Sequence, residues 1–315
     1  MVDTVTKFLT AENLYQQIKN FTKGMSVTRN CFNYTVPRCT LPDMAWNHMD
    51  QLHRQSIHNT YEKSLRIALG KDFALSLTQF SKWPLFITVT DVRVADYTFY
   101  QSMTIGGIIF LHFIISFEET ENHALQLKNE WFIASHKIFR FAHGLLNRKL
   151  IKLNERLQVE DAQIRNGRFD LRNKGYTFRN DPPDYYNSNR LGSNTIYPML
   201  PEAASFLLAN FKEQASQVAL GNVEFILKKE QDNYLIWPAF CPHEGGPLLK
   251  GKMCDTQITC PWHGLRFRAA ALSADTPCVQ QHGFEYSLVG DEIQVLRLGA
   301  DSATAKDPQE KLEMV

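Results

Sequence analysis

The opening residues, MVDTVTKFLTAENLYQQIKNF, alternate charged and apolar positions with no apolar core and no cleavage site. That pattern predicts a short amphipathic helix and argues against a secretory leader. Residues 25–40 mix β-branched and polar side chains as far as Pro37, which predicts an opening strand and a turn. From Asp43, a residue able to cap a helix, Trp46, Met49 and Ile57 recur at helical spacing, and the pattern persists irregularly to Leu69 before Gly70. The period then shortens. FALSLTQF, PLFITVTDVRVADYTFYQS and GIIFLHFIISF are β-rich runs broken by Pro84, Gly106 and Gly107, and they predict an antiparallel sheet of about four or five strands. From Glu130 to Gly167 the reading is helical again, with a bend at 139–144. Leu146, Leu150, Leu153 and Leu157 form an apolar stripe there.

The second half has a different texture. Residues 168–198 are polar and rich in Asn, Gly and Pro, as a linker is. Leu200–Ala219 reads as a short helix. Strand signals follow at Val223–Leu227 and Tyr234–Trp237, and a hairpin at Phe284–Leu288 and Glu292–Leu298 turns at Gly290-Asp291. The expectation is an α+β chain: an antiparallel-sheet domain over 1–167, a linker with a short helix over 168–205, an all-β domain over 206–300 and a charged tail over 301–315.

Composition narrows this little. A length of 315 residues accommodates two domains. A net charge of +1 gives no reason to expect nucleic acid. Basic residues outnumber acidic ones from Lys137 to Arg179, which suits a solvated face or a docking patch for an acidic electron carrier. The longest apolar run, Ile105–Phe117, has thirteen residues and contains His112, so no transmembrane segment is expected. Cys31, Cys39, Cys254 and Cys278 show no dense disulfide pattern; Cys31 and Cys39 could pair across a hairpin, but the reducing, cytoplasmic setting expected here favours two free buried thiols.

Two groups of residues carry candidate chemistry. In CPHEGGPLLKGKMCDTQITCPWH, Cys241-x-His243 is followed after sixteen residues by Cys260-x-x-His263. Two thiolates and two imidazoles in two tight pairs suit a two-iron centre with Cys241 and Cys260 on one iron and His243 and His263 on the other. A zinc site needs the same ligand types, at a spacing zinc modules do not usually show. The second group is Asp50, His53 and His58. On an ideal helix His53 and His58 diverge by about 140 degrees, so a shared metal requires an irregular turn between them. The stripe that ends at Leu157 continues in register onto Asp161, a carboxylate in a buried series, which is costly without a cation. Glu155, Glu160 and Asp170 lie off that stripe and are expected in solvent. His53, His58 and Asp161 make a 2-His-1-carboxylate set suited to ferrous iron.

CPH…CPWHG resembles the Rieske signature, with Gly245, Gly246 and Gly264 in the family's loop positions. Gly246 and Trp262 stand where respiratory Rieske domains carry a disulfide, so the likeness is to the soluble oxygenase and ferredoxin branch. The D-x-x-H-x-x-x-x-H string, the antiparallel sheet and the late helix resemble the START-like, helix-grip catalytic domain of Rieske non-haem iron oxygenases, here with the domain order reversed. The resemblance implies a [2Fe-2S] cluster, a mononuclear Fe(II) on His53, His58 and Asp161, and an Asp50 that binds no iron but bridges His53 and His263. It also implies dioxygen as co-substrate, NAD(P)H electrons through an external ferredoxin or flavin reductase, and a homo-oligomer, in the family a cyclic trimer. The reaction expected is hydroxylation, demethylation, dihydroxylation or desaturation of a largely apolar small molecule. His112 is expected as a hydrogen-bonded cavity residue able to orient it, beside Trp83, Phe110, Phe113 and Ile115. The alternative is a Rieske electron-transfer protein whose START-like half binds a ligand without chemistry.

Overall fold

The computed structural model of the chain describes residues 11–50, 53–58, 61–70, 72–80, 86–120, 124–179, 181 and 194–298. Trp83 and the tail from 301 lie outside them, as do residues 180 and 182–193 of the stretch expected as a linker. The chain divides into two units, and the division falls at Phe169/Asp170.

In the first unit, helix α1 (Ala11–Phe21) precedes strand β1 (Ser26–Val36), helix α2 (Leu41–Met49) and the short helix α3 (His53–Ile57). Strands β2 (Tyr61–Leu69), β3 (Phe73–Phe80), β4 (Phe86–Ala95), β5 (Thr98–Ile105), β6 (Ile109–Glu119) and β7 (Leu125–Ser135) follow, then helix α4 (Phe141–Asn173), whose last four residues are counted with the second unit. The strands form one seven-stranded antiparallel sheet in the order β1-β7-β6-β5-β4-β3-β2. Strand alternation gives that sheet two working faces. Leu111, Phe113, Ile115 and Phe117 of β6 turn toward Met44 and Met49 of α2 and Leu150 of α4. The intervening Ile114 turns the other way and meets Leu14 and Ile18 of α1. Tyr15 donates a hydrogen bond to Glu130, and Arg29 Nη2 lies 2.7 Å from the same carboxylate, tying α1 to β1 and β7.

Two predicted helices of this unit differ, and the sheet has seven strands where about four or five were expected. The helix expected from 43 to 69 ends at Met49, restarts for one turn and gives way to β2, because Tyr61–Leu69 pairs with β3 along its length. Its cap is Thr40, whose Oγ1 accepts from the Asp43 N–H, while Asp43 is fully buried. The helix expected from Glu130 begins at Phe141. Trp131 and Ile133 alternate into the core, and pairing to both β1 and β6 makes this stretch a central strand. The α4 stripe is as expected, with Leu150 and Ile164 buried and Asp161 between them.

The second unit is built of small antiparallel sheets. Strands β8 (Thr177–Phe178) and β9 (Thr195–Ile196) pair. The helix expected over 200–219 is instead strand β10 (Ser205–Leu207), a 3-10 turn and strand β11 (Ser216–Leu220). One sheet joins β11, β12 (Val223–Glu230), β13 (Asn233–Pro238) and later β17 (Ala270–Leu272). A second joins β14 (Lys252–Cys254), β15 (Gln257–Thr259) and β16 (Arg266–Arg268), and a third joins β10, β18 (Cys278–Gln281), β19 (Phe284–Val289) and β20 (Glu292–Arg297). Phe206, Phe225, Phe284 and Tyr286 fill the core. Among the described residues no helix is long and apolar enough to cross a membrane.

Candidate functional site

In the first unit, α2 ends with Asp50 in extended geometry, its N–H bonded to the Trp46 carbonyl. His53 opens α3 and His58 stands just past its end, with its N–H on Arg54 O at 3.2 Å. The helix stops between the two histidines, so the divergence of an ideal helix does not apply to them. Arg54 pins this turn to the sheet, with Nη1 3.2 Å from Ser76 Oγ and Nη2 3.1 Å from the fully buried Asp91. Arg168 of α4 bonds Asp43 of α2 at 2.8 Å and lies over the Trp46 ring, holding α2 beside α4.

These anchors bring three donor atoms together. His53 Nε2 and His58 Nε2 are 3.2 Å apart, and Asp161 Oδ1 lies 3.4 Å from the first and 3.2 Å from the second. All three side chains are buried. Ligand atoms bonded at about 2.1 Å to one ion sit about 3.0 Å apart at right angles and about 3.4 Å apart at tetrahedral angles, so the triangle fits a metal. Asp161 Oδ1 is buried and meets no hydrogen-bond geometry among the described residues. Burial would lower the His53 pKa, but contact with Asp161 and Asp50 raises it to about 9. Burial would likewise raise the Asp161 pKa, yet the two imidazoles hold it well below the usual carboxylate range. The carboxylates beside His53 therefore favour a positive charge between them.

Behind the triangle stand two carboxylates. Asp50 Oδ2 is 3.5 Å from His53 Nδ1, and Glu160 Oε2 is 2.9 Å from His58 Nδ1. Glu160, expected in solvent, instead orients a histidine. The available signal was chemical: a ligating imidazole needs a partner on its other nitrogen, and Glu160 adjoins Asp161. The proposed second partner of Asp50, His263, belongs to the other unit.

The triad opens on a cavity of about 110 Å³. Its wall includes the amides Asn47, Gln101, Asn129, Asn154 and Gln158 as well as Ile115 and Leu127. The expected apolar chamber is thus corrected: Phe113 is packed in the core and Phe110 lies on the opposite sheet face, leaving a polar wall beside the triad. His112 is also on that opposite face, an odd number of positions from Ile115, with Nδ1 2.6 Å from Tyr100 Oη. It does not line the triad cavity, so the expectation that it orients a substrate there is corrected too.

In the second unit the two cysteine loops repeat one backbone pattern. Cys241 N–H bonds Gly246 O at 2.7 Å and Gly245 N–H bonds Cys241 O at 2.9 Å. Cys260 N–H bonds Leu265 O and Gly264 N–H bonds Cys260 O at the same two distances. Gly245 and Gly264 take the left-handed φ this turn requires, +80° and +72°. His243 Nδ1 and His263 Nδ1 face each other at 3.2 Å, and both cysteines are buried without a disulfide. Burial and the shared hydrogen bond with Cys260 push the Cys241 thiol up. Cys260 is held at about 7 against its own burial by Cys241, His263 and the Trp262 and His263 N–H groups. Two thiols and two imidazole Nδ1 atoms are the donor set a [2Fe-2S] cluster with mixed ligands requires. Cys254 is exposed, as is Cys31, whereas Cys39 is buried.

Sequence reasoning missed the brace of the first loop. Thr195 Oγ1 donates to Cys241 O at 2.9 Å, Tyr197 Oη donates to Phe240 O at 2.7 Å, and Asn194 Nδ2 donates to Glu244 Oε1 at 2.9 Å. These residues were read as linker because nothing local marks a segment that serves a loop about fifty residues away in sequence.

Residues 206–297 match the Rieske [2Fe-2S] domain family. Apoptosis-inducing factor 3 of Mus musculus is 28% identical over 98 residues, covering 30% of this chain and 16% of that protein. The Homo sapiens protein of that name is 29% identical over 117 residues, covering 35% and 19%. The chain thus spans under a fifth of the length of these relatives. Among solved structures, truncated norcoclaurine synthase from Thalictrum flavum aligns with a TM-score of 0.34 and 12% identity, over 39% of this chain and 84% of that one. Ara h 8.0201 aligns with a TM-score of 0.36 and 11% identity, over 44% and 97%. Scores of this size imply nothing about family or function. The repeated loops and the family match agree on the C-terminal unit: residues 206–297 of this chain are a Rieske [2Fe-2S] domain.

Proposed function

We propose that the chain is a Rieske-type oxygenase, in which a START-like unit carrying a mononuclear iron site works with the Rieske domain. The observation that carries this reading is the triangle of His53 Nε2, His58 Nε2 and Asp161 Oδ1, with edges of 3.2 to 3.4 Å, encoded in the same chain as the Rieske domain. His53, His58 and Asp161 would hold a ferrous ion, which supplies open positions for dioxygen. Cys241, His243, Cys260 and His263 would hold the [2Fe-2S] cluster, which supplies single electrons at a raised potential. Overall, dioxygen, two electrons and two protons convert a C–H bond into C–OH and water. NAD(P)H is the electron source, through a separate ferredoxin or flavin reductase. Demethylation and desaturation draw on the same inputs.

The chain's own residues divide the remaining work. Glu160 and Asp50 hold the imidazoles in the tautomer that presents Nε2. Asp50 is also a candidate bridge to His263, within one chain or across a homo-oligomer. The amide wall of the cavity widens the substrate class from a largely apolar molecule to one whose reacting end can also hydrogen-bond.

The second reading is a Rieske electron carrier without oxygen chemistry, favoured by family similarity confined to residues 206–297. Anaerobic reconstitution with metal analysis separates the two: about three irons per chain for the oxygenase, about two for the carrier. Single turnover of the reduced protein with dioxygen and a substrate panel then tests the chemistry. Absence of the third iron sinks the oxygenase reading.

A further inference from the structure

His112 faces a second cavity, on the side of the sheet away from the triad. It lies between the later turns of α1 and strands β4, β5 and β6, and holds about 620 Å³, within the usual range for a small-molecule site. Leu14, Ile18 and Phe21 of α1 stand opposite Val92, Val94 and Phe110 of the sheet, so the wall is mainly apolar. No Lys, Arg, Asp or Glu is among the described residues that line it. Phe21 packs edge-on against both Phe110 and His112 and is itself 57% exposed, so it covers His112 and borders solvent at once.

One polar relay is set into this wall. Tyr100 Oη is 2.6 Å from His112 Nδ1, and His112 is only 7% exposed. Burial lowers the imidazole's pKa, which keeps the ring neutral near pH 7. A phenol is a stronger acid than a neutral imidazole N–H, so Tyr100 donates and Nδ1 accepts. The ring hydrogen then sits on Nε2, which is buried and finds no hydrogen-bond partner among the described residues. An orphaned buried donor is costly and uncommon, and it calls for an acceptor.

We infer that this cavity binds a neutral small molecule with an apolar body and one carbonyl-type acceptor, admitted past Phe21 and bonded by His112 Nε2. The absence of cationic lining selects against carboxylates and phosphates, and the volume suits a body of two or more fused rings or a comparable chain. The inference stands apart from the oxygenase reading, since His112 does not line the triad cavity.

Two fluorescent probes test it on the full chain: 6-propionyl-2-(dimethylamino)naphthalene, which carries a ketone, and 2-(dimethylamino)naphthalene, which does not. Saturable, blue-shifted binding with preference for the ketone is expected. His112→Phe should weaken ketone binding about fivefold, the value of one neutral hydrogen bond, and leave the ketone-free probe unchanged. His112→Gln, which restores an N–H donor, should recover part of the loss. The unaltered protein is informative if both variants misfold, because equal affinity for the two probes overturns the proposal. So does an equal loss of both probes in His112→Phe, or ketone preference that survives it.

Discussion

His58 Nδ1 and Glu160 Oε2 stand 2.9 Å apart, and that contact decides which edge of the imidazole faces Asp161. Asp50 Oδ2 stands behind His53 Nδ1 at 3.5 Å, a charge contact longer than a hydrogen bond. Carboxylates behind ligating histidines typically contribute 10- to 100-fold in metal affinity. If the triad holds iron as proposed, Glu160→Ala should therefore release that iron at a chelator concentration about tenfold or more below that needed for the unaltered protein, with the visible spectrum of the cluster unchanged. Iron retention equal to that of the parent would make Glu160 a bystander.

His48 sits in the same pocket against the Phe99 ring, and burial drives its pKa down to about 4 from an ordinary 6.5. At pH above 6.5 the ring is neutral in both the folded and the unfolded chain. As pH falls from 6.5 to 4 the unfolded chain takes up a proton that the native state refuses, so stability is lost across that window. His48→Leu should flatten this part of the profile, seen as a smaller drop in Tm between pH 6.5 and 4 than in the parent. Parallel profiles would show that the native ring protonates freely.

Gly246 and Gly264 make a matched pair. A Cβ on Gly246 would lie 2.6 Å from Cys260 Sγ and 3.1 Å from the Trp262 ring, whereas one on Gly264 meets nothing within 4 Å. Gly246→Ala should displace a ligand and lose most of the visible iron–sulfur absorption. Gly264→Ala bears only the strain of its left-handed backbone, about 1 kcal/mol, and should keep the chromophore with a slightly lower Tm. Equal absorption in the two variants would contradict this close approach of the loops.

Arg168 and Asp43 form an ion pair with both side chains fully buried. Removing one partner of such a pair costs about 3–5 kcal/mol, because the other charge stays buried. Arg168→Met should lower Tm by roughly 10 °C and loosen α2, with loss of the proposed mononuclear iron before the cluster. Arg168→Lys keeps the charge but not the planar stack on Trp46, and should fall between the two. A Tm within a degree or two of the parent for Arg168→Met would show that the pair is dispensable.

Legibility varied from site to site. Asp161 was readable because a carboxylate interrupts a stripe whose neighbours Leu150 and Ile164 are buried, and helical periodicity is a local rule. Glu160, next to it, was not readable from that rule. It lies about 100 degrees around the helix, where only the position of His58 gives it a partner. His112 shows the converse. Its residue type invited a functional role, but strand register places it on the face away from the triad, and one residue of slip would have reversed that.

What the sequence determined by itself is the inventory of candidate metal ligands and the conformation of the cysteine loops. Each loop closes through hydrogen bonds four and five residues apart and a glycine with positive φ, all within a few residues of chain. The tertiary structure alone decided that α3 stops between His53 and His58, that Tyr61–Leu69 and Leu125–Ser135 are strands, and that Asn194–Tyr197 braces a loop distant in sequence. Those outcomes depend on pairing and burial between residues far apart in the chain, where long-range contacts override local propensity.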